Sequence, residues 1–263
     1  GGIYLNSSNS TLSNVDIINN TANGGDSEVH GGGIAMNNSY PTLSDVTLSY
    51  NRAVSSSYTK GGGIHCGNSD PILNRVLLNN NSAKNGGGLS LANSEPLISN
   101  ATISRNTAYN SGGGGGIHIV SNAHLILINS IIWGNVWGND TDVFGESNIE
   151  GYGESTVTYS DIQGGWDGEG NINADPLFTN PEMGDFTLQE ESPCIGTGED
   201  GTDMGAFEFG SCTTDIDCEG VCGGAAVDDE CGVCGGDNSS CSDCAGIPNG
   251  DSWESDCGCV VAD

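Results

Sequence analysis

The chain has 263 residues, of which 35 are acidic and only 5 are Lys or Arg, so its formal net charge at pH 7 is -30. A charge of this sign opposes binding to DNA, to RNA and to an anionic membrane surface. Glycine accounts for 43 of the 263 residues, which is more than twice its usual fraction of about 7%. This content excludes a mainly helical protein, because each glycine weakens a helix by about 0.8–1.0 kcal/mol relative to alanine. The apolar runs are all shorter than the roughly 18 residues that a membrane-spanning helix needs.

A Gly-Gly-aliphatic element recurs along the first half of the chain. Its aliphatic residues are separated by 31, 30, 25 and 28 positions, and they are Ile3, Ile34, Ile64, Leu89 and Ile117. Each copy continues with alternating aliphatic and polar residues and closes on an asparagine. The repeated asparagines are Asn20, Asn51, Asn81, Asn106 and Asn135. A repeat of 20–50 residues indicates a solenoid, a propeller or an array of small units.

The length and pattern of the copies favour a parallel β-helix. The copies lack an apolar pattern of period 3.6, which argues against solenoids built from helices. A propeller blade needs four strands in about 40–45 residues, and these copies are shorter. Coils of two or three strands fit, and because they stack about 4.7–4.9 Å apart, equivalent residues would lie on top of one another. The sequence therefore predicts an all-β solenoid of six or seven coils, with interior aliphatic columns, an asparagine ladder and bends at the glycine clusters.

Charge and cysteine content divide the chain into two predicted domains. All five basic residues and six of the acidic residues precede residue 106, so this part is nearly neutral. Nine of the eleven cysteines follow residue 211. We predict a parallel β-helix over residues 1–210 and an irregular, acidic, Cys-rich stalk over residues 211–263. Because the chain begins inside a repeat, it is expected to be a piece of a longer polypeptide.

The cysteines of the stalk can bind zinc or form disulfides. Two Cys-x-x-Cys pairs, Cys231/Cys234 and Cys241/Cys244, have a spacing that zinc sites use. Asp and Gly surround them, and the segment has too little apolar surface to fold without cross-links, so disulfides and an extracellular location are favoured. Cys194 and Cys212 can pair across the boundary between the two domains, which would leave Cys66 as a buried free thiol. The disulfide candidates are Cys194, Cys212, Cys218, Cys222, Cys231, Cys234, Cys241, Cys244, Cys257 and Cys259.

Few residues stand out as candidate ligands. His65 and His118 follow the Gly-Gly-Ile element at the same repeat position, so they face either a ligand groove or solvent. Three tryptophans, Trp133, Trp137 and Trp166, can stack on sugar rings or cap the hydrophobic column. Carboxylates are ligands that Ca²⁺ prefers, and the predicted calcium site of the stalk consists of Asp215, Asp217, Glu219, Asp228, Asp229 and Asp237.

Several of these motifs resemble known families. Gly-Gly-Ile followed by aliphatic-x-x-Asn resembles the repeat of chlamydial polymorphic outer-membrane proteins and of secreted bacterial β-helix proteins of the pectate-lyase-like superfamily. The segments Asn173-Ala-Asp-Pro-Leu-Phe178 and Ser192-Pro-Cys-Ile-Gly196 resemble the closing coils of such proteins. The repeated tail segments Asp217–Gly224, Glu230–Cys241 and Asp243–Gly250 are similar to Cys/Gly/Asp repeats in large surface proteins of marine bacteria, and the string from Cys231 to Cys241 also resembles one in the Cys-rich region of thrombospondin-repeat metalloproteases. These resemblances imply a right-handed β-helix in a secreted or cell-surface protein.

The predicted function is therefore structural or adhesive, with an extended surface that contacts glycans, other cell-surface proteins or copies of the same chain. One alternative is a polysaccharide lyase or hydrolase of the pectate-lyase-like class. The Asn-Thr-Asp, Asp-Asp and Gly-His-Gly signatures of polygalacturonases do not occur in residues 1–209, so no catalytic residue is assigned. A second alternative is a subunit of an extracellular fibre, built by strand addition at an open sheet edge.

Overall fold

The structure, a computed structural model, describes residues 1–120, 122–138, 143–210, 218, 227–236, 239–240, 242–245, 247–255 and 258–260. The chain divides into two compact units, residues 1–210 and 211–263. Regular structure in the described residues is almost entirely β-strand, and the helices are two single turns of 3₁₀ helix, Pro181–Met183 and Glu199–Gly201. Neither has the length or the apolar character to cross a lipid bilayer.

The strands are short, at two to eight residues each. In chain order the described strands are β1 (Ile3–Asn6), β2 (Thr11–Ile18), β3 (Thr21–Asn23), β4 (Val29–His30), β5 (Ile34–Asn37), β6 (Thr42–Ser49), β7 (Arg52–Val54), β8 (Thr59–Lys60), β9 (Ile64–Gly67), β10 (Ile72–Asn79), β11 (Ser82–Ala83), β12 (Leu89–Ala92), β13 (Leu97–Ser99), β14 (Thr102–Ser104), β15 (Thr107–Ala108), β16 (Ile117–Ile119), β17 (His124–Ile128), β18 (Ile131–Trp133), β19 (Val136–Gly138), β20 (Val143–Glu146), β21 (Ile149–Gly151), β22 (Glu154–Thr158), β23 (Asp161–Ile162), β24 (Phe178–Asn180), β25 (Asp185–Leu188), β26 (Trp253–Ser255) and β27 (Gly258–Val260).

Successive coils stack on one another in the first unit, and their strands form three sheets along its sides. This arrangement confirms the predicted parallel β-helix. Sheet 1 has the order β1-β5-β9-β12-β16-β21, and sheet 2 runs from β2 and β6 through β10 to β22 and β23. Sheet 3 contains β3, β7, β11, β15 and β19, all parallel, with β20 antiparallel at its edge. The six strands of sheet 1 correspond to about five complete turns of the solenoid. The predicted six or seven coils are too many, because the chain beyond residue 173 leaves the stack.

The repeat positions are in register, and their aliphatic side chains form the core. Ile34 of sheet 1 lies opposite Ile64 and Ile64 opposite Leu89. These three side chains are completely buried. Burying such a side chain stabilises the fold by about 1.5–3 kcal/mol, so the stacked columns supply most of the favourable free energy of this unit.

The repeated asparagines form a continuous ladder, which is buried from Asn51 onward. From each residue to the next, side-chain Nδ2 donates to Oδ1 over 2.9–3.1 Å, through Asn20, Asn51, Asn81, Asn106, Asn135 and Asn148. The backbone N–H groups of the first five also donate to the same Oδ1 atoms. Asn148 is a rung that the sequence did not reveal, because it follows Asn135 by only 13 residues.

Residues with a left-handed backbone conformation lie at the corners of each coil. The glycine corners were predicted from the sequence, and Gly31, Gly61 and Gly86 have φ of 65–69°. Other corners use side chains with φ near +50 to +60°, including Tyr50 and, at the same position of the next coil, Asn80. For residues other than Gly, Asn and Asp, this backbone conformation costs about 1–2 kcal/mol of stability.

Tyr50→Asn is therefore expected to raise the free energy of unfolding by up to about 1 kcal/mol. Tyr50 is 53% exposed, so little packing is lost. Chemical denaturation measures the change, and Tyr40→Asn is the matched control, because Tyr40 is equally exposed but does not have positive φ. Equal effects of the two substitutions would show that backbone strain at Tyr50 is not the cause.

Residues 174–209, which we call the closing segment, pack against the outer face of sheet 2. The backbone N–H of Gly205 donates to Asn129 O (2.8 Å), and that of Ala206 donates to Thr102 Oγ1 (2.9 Å). An apolar cluster joins the two parts and contains Leu77, Ile131, Phe178, Phe186, Leu188, Cys194 and Met204. The segment that resembles closing coils thus covers the side of the solenoid, because its apolar residues meet outward-facing Leu77 and Ile131.

The second unit contains the predicted disulfides. Cys218 is bonded to Cys234 and Cys244 to Cys259, and Cys231 is also disulfide-bonded. In the first unit Cys66 is a buried free thiol, as predicted, but Cys194 is also a buried free thiol. The predicted pairing of Cys194 is therefore wrong, because its sulfur packs inside the apolar cluster. Its proposed partner Cys212 lies outside the described residues, as do Cys222, Cys241 and Cys257.

Candidate ligand-binding cleft

A cleft of about 600 Å³ separates the closing segment from the corner of the β-helix that follows sheet 2. Trp133, Arg105, Ser104 and Asn80 line it on the side of the β-helix. The wall contributed by the closing segment contains Asp175, Leu177, Phe178, Pro181 and Gln189. The cleft therefore combines apolar surface with a few polar side chains, as small-molecule sites do.

Trp133 is fixed at a rigid corner of its coil. It ends β18, opposite Ser104 of β14, and the Ser104 hydroxyl donates to the Trp133 carbonyl oxygen (2.7 Å). The following Gly134 has φ of +69°, and its N–H donates to Gln163 Oε1 (2.7 Å). The indole is half-buried. Its backbone is held on both sides and its side chain packs against the apolar cluster under the closing segment, so the ring forms a preorganised apolar surface.

Arg105 connects the two walls at the cleft. Its guanidinium binds Glu182 of the closing segment in a bidentate pair, with Nη1–Oε1 of 2.8 Å and Nη2–Oε2 of 2.7 Å. The Glu182 side chain is 73% exposed, so the pair adds at most about 1 kcal/mol to stability. Its main effect is to fix the position of a planar hydrogen-bond donor beside Trp133.

The opposite wall carries polar groups that the backbone holds in place. Gln189 Nε2 donates to Phe178 O (2.9 Å), and Asp175 Oδ1 accepts from the Leu177 N–H (3.0 Å). Sequence reasoning did not find Arg105, Asp175 or Gln189. They come from segments about 70 residues apart in the chain and carry no local motif.

The other two predicted tryptophans lie elsewhere. Trp137 packs against Phe144, with ring centroids 5.0 Å apart, on the antiparallel ribbon of β19 and β20. Trp166 lines a separate pocket of about 250 Å³ together with Glu146, Glu150 and Gln163. The structure therefore does not bring the three indoles into one site.

His65 and His118 are buried, in contrast to the predicted ligand-facing or solvent-facing positions. Both flank Ser90 on the outer face of sheet 1, and neither lines the cleft. The ring of His30, in β4, packs on His65 with centroids 4.5 Å apart. Among the described residues, His65 Nδ1, Ser90 Oγ and His118 Nδ1 are buried and have no hydrogen-bond partner. The short strands β4 and β8 flank this row, which is why the side chains lose solvent.

Burial makes His65 sensitive to acid. Desolvation first, and then the charges of His30 and Lys60, lower the pKa of His65 to about 3. An unfolded histidine has a pKa of about 6.5, so the stabilising effect of a neutral His65 is lost as the pH falls below 6.5 toward 3.

We therefore expect His65→Leu to reduce the loss of stability between pH 7 and pH 5 by about 2 kcal/mol. Urea denaturation at both pH values measures this difference. His124→Gln is the control, because His124 is partly exposed and hydrogen-bonds to Glu95. The same pH profile for wild type and His65→Leu would contradict the assignment.

The predicted calcium site is only partly within the described residues. Asp215, Asp217, Glu219 and Asp237 lie outside them. Asp229 Oδ1 accepts the backbone N–H groups of Cys231 and Val233 (both 2.9 Å), so this carboxylate caps a turn. Donor atoms of Cys218, Asp228 and Cys234 lie within 4.8 Å of one another. The two sulfurs are joined in a disulfide, which removes the thiolates that a transition metal binds. Calcium binding by the stalk stays a prediction.

Comparison of the chain with protein-family models, with curated proteins and with solved structures finds no match. The family resemblances of the repeat and of the stalk therefore stay predictions based on the motifs alone.

Proposed function

We propose that this chain is a β-helical binding module of a secreted or cell-surface protein and that its cleft binds the sugar rings of a glycan. The observation that carries the proposal is the fixed Trp133 ring in a cleft of about 600 Å³ beside Arg105, Asp175 and Gln189. An aromatic face packs against the apolar face of a sugar ring. Planar amide, guanidinium and carboxylate groups match the donors and acceptors of its hydroxyls.

Two further features support this proposal. The disulfides of the second unit are typical of proteins exposed to an oxidising environment. Glycosidases use a pair of carboxyl groups, whereas Asp175 is the one acid among the described residues that line the cleft. Glu182, the nearby acid on the closing segment, is held by Arg105. Binding, and not cleavage, is the activity that this arrangement favours.

The test is a glycan array followed by calorimetric titration of the best ligand. Trp133→Ala is expected to weaken binding at least tenfold, which corresponds to about 1.4 kcal/mol. Trp137→Ala is the matched control, because this tryptophan lies on the next strand and packs on Phe144. Wild-type protein that binds no glycan, or equal affinities of the two variants, would contradict the proposal.

A further inference from the structure

A carboxyl group is buried where the closing segment meets the last coil. Asp161 begins β23 and has no exposed surface. Its Oδ1 accepts the backbone N–H of Ala174 (3.1 Å), and its Oδ2 lies 3.3 Å from the sulfur of Cys194, whose thiol donates to it. A single side chain of the β-helix thus contacts both the first residue of the closing segment and a residue near its middle.

The surroundings of Asp161 hold no positive charge within the described residues. The titratable groups that act on it are Cys194 and Asp175, and Asp203 acts in turn on Cys194. The neighbouring strand β18 contributes Ile131, Ile132 and Trp133, none of which titrates. An ionised Asp161 would therefore be a buried anion with one amide and one weak thiol donor.

These contacts connect Asp161 to the segment that forms one wall of the cleft. Ala174 precedes Asp175, which lines the cleft, and the rest of that wall is also contributed by the closing segment. Cys194 belongs to the apolar cluster that holds the segment on sheet 2. If the contacts to Asp161 were lost, the closing segment would be less firmly attached at its first residue and near its middle. The cleft wall that it forms would then be less rigid.

We propose that Asp161 is a pH-sensitive latch that holds the closing segment on the β-helix when protonated and weakens this attachment when ionised. This inference rests on the proposed function of the cleft, since it assigns regulation to the same site. Burial raises the pKa of Asp161 to about 6, with Asp175 adding to the increase and the Ala174 and Cys194 hydrogen bonds opposing it. An unfolded Asp has a pKa of about 3.9. The attachment is therefore strongest below about pH 4 and is weakened as the pH rises through 6.

Hydrogen exchange on the whole chain tests the latch without any ligand. The amides of Gly205 and Ala206 bond the closing segment to the β-helix, so their protection factors report its attachment. Between pH 4.5 and pH 7.5 we expect these factors to fall by about tenfold to hundredfold, since each pKa unit corresponds to a factor of ten. The amide of Asn51 in the asparagine ladder is the reference, and its protection is not expected to fall, because the loss of charge from His65 stabilises the β-helix over the same pH range. Equal protection of Gly205 and Ala206 at both pH values would overturn the proposal.

Two variants make the assignment specific to Asp161. Asp161→Asn cannot ionise, and its Gly205 and Ala206 protection is expected to be independent of pH. Cys194→Ser replaces a weak donor with a stronger one, so it is expected to stabilise the ionised carboxylate and to move the transition to lower pH. The second variant keeps the test available if the first does not fold. A pH-dependent loss of protection that persists in Asp161→Asn, or a transition that Cys194→Ser leaves in place, would assign the effect to another group.

Glycan titration at the same two pH values separates the latch from the function of the cleft. We expect affinity to be lower at pH 7.5 in the wild type and unchanged in Asp161→Asn. Equal affinity at both pH values, together with equal protection, would overturn the latch and leave glycan binding intact. Wild-type protein that binds no glycan at either pH would overturn the proposed function, while pH-dependent protection would still support the latch.

Discussion

Asn81→Ala is expected to lower the free energy of unfolding by about 3–5 kcal/mol, since each unsatisfied buried polar group costs about 1–3 kcal/mol. Asn81 Nδ2 donates to Leu48 O (2.8 Å) and to Asn106 Oδ1 (3.0 Å). Its Oδ1 accepts both the backbone N–H and the side-chain Nδ2 of Asn51. The substitution removes all four bonds and leaves the partners without water, because the ladder is completely buried at this rung.

Asn20→Ala is the matched control for the ladder. Asn20 has the same repeat position in the first coil but is only half-buried, and its side chain only donates, to Ile18 O and to Asn51 Oδ1. We expect a loss of less than about 1 kcal/mol, because water can replace these contacts. Urea denaturation of both variants measures the difference, and equal losses would show that the ladder does not stabilise the coil stack.

Gly62→Ala is expected to destabilise the fold by about 3 kcal/mol, the upper end of the usual range for overpacking. A Cβ atom at Gly62 would lie 2.3 Å from Gly87 O and 2.4 Å from Ser82 N. Both are backbone atoms, Gly87 in the next coil and Ser82 in the same coil, so no side-chain rotation relieves the contact. The coils would have to separate at this corner, where Gly62 N–H donates to Gly86 O (2.9 Å).

Gly67→Ala in the same coil is the control for Gly62. Its nearest contact would be His65 Nε2 at 3.3 Å, at the end of a side chain. We expect a change of less than about 1 kcal/mol for this variant. Thermal unfolding of the two variants compares them directly, and similar midpoints would mean that the coils are not closely packed at Gly62.

The repeat predicted the β-helix because its signals are local and recur. Ile34, Ile64 and Asn51 each appear in a pattern that several coils share, and stacking places equivalent residues in register. The number of turns was overestimated because the closing segment contains strand-like apolar residues, such as Phe186. Whether such residues extend the stack or cover its side depends on contacts across the fold.

The cleft could be predicted only in part for the same reason. Trp133 was a candidate from its residue type, but the two walls meet through Arg105 and Glu182, which are 77 positions apart. The burial of His65 was missed because Tyr4, Ala35 and Ser90 share its repeat position, so the sequence pattern indicates no fixed environment there. The neighbouring strands β4 and β8 decide its environment, and their sequences carry no periodic signal.

The measurement that tests the central claim most directly is an NMR titration of the tryptophan indole N–H resonances with the glycan selected on the array. The chain has four tryptophans, so each can be assigned by substitution. We predict that the Trp133 resonance shifts in a saturable way, whereas Trp137, packed on Phe144, and Trp253 of the second unit do not. Saturable binding that leaves the Trp133 resonance in place would contradict the cleft as the glycan site.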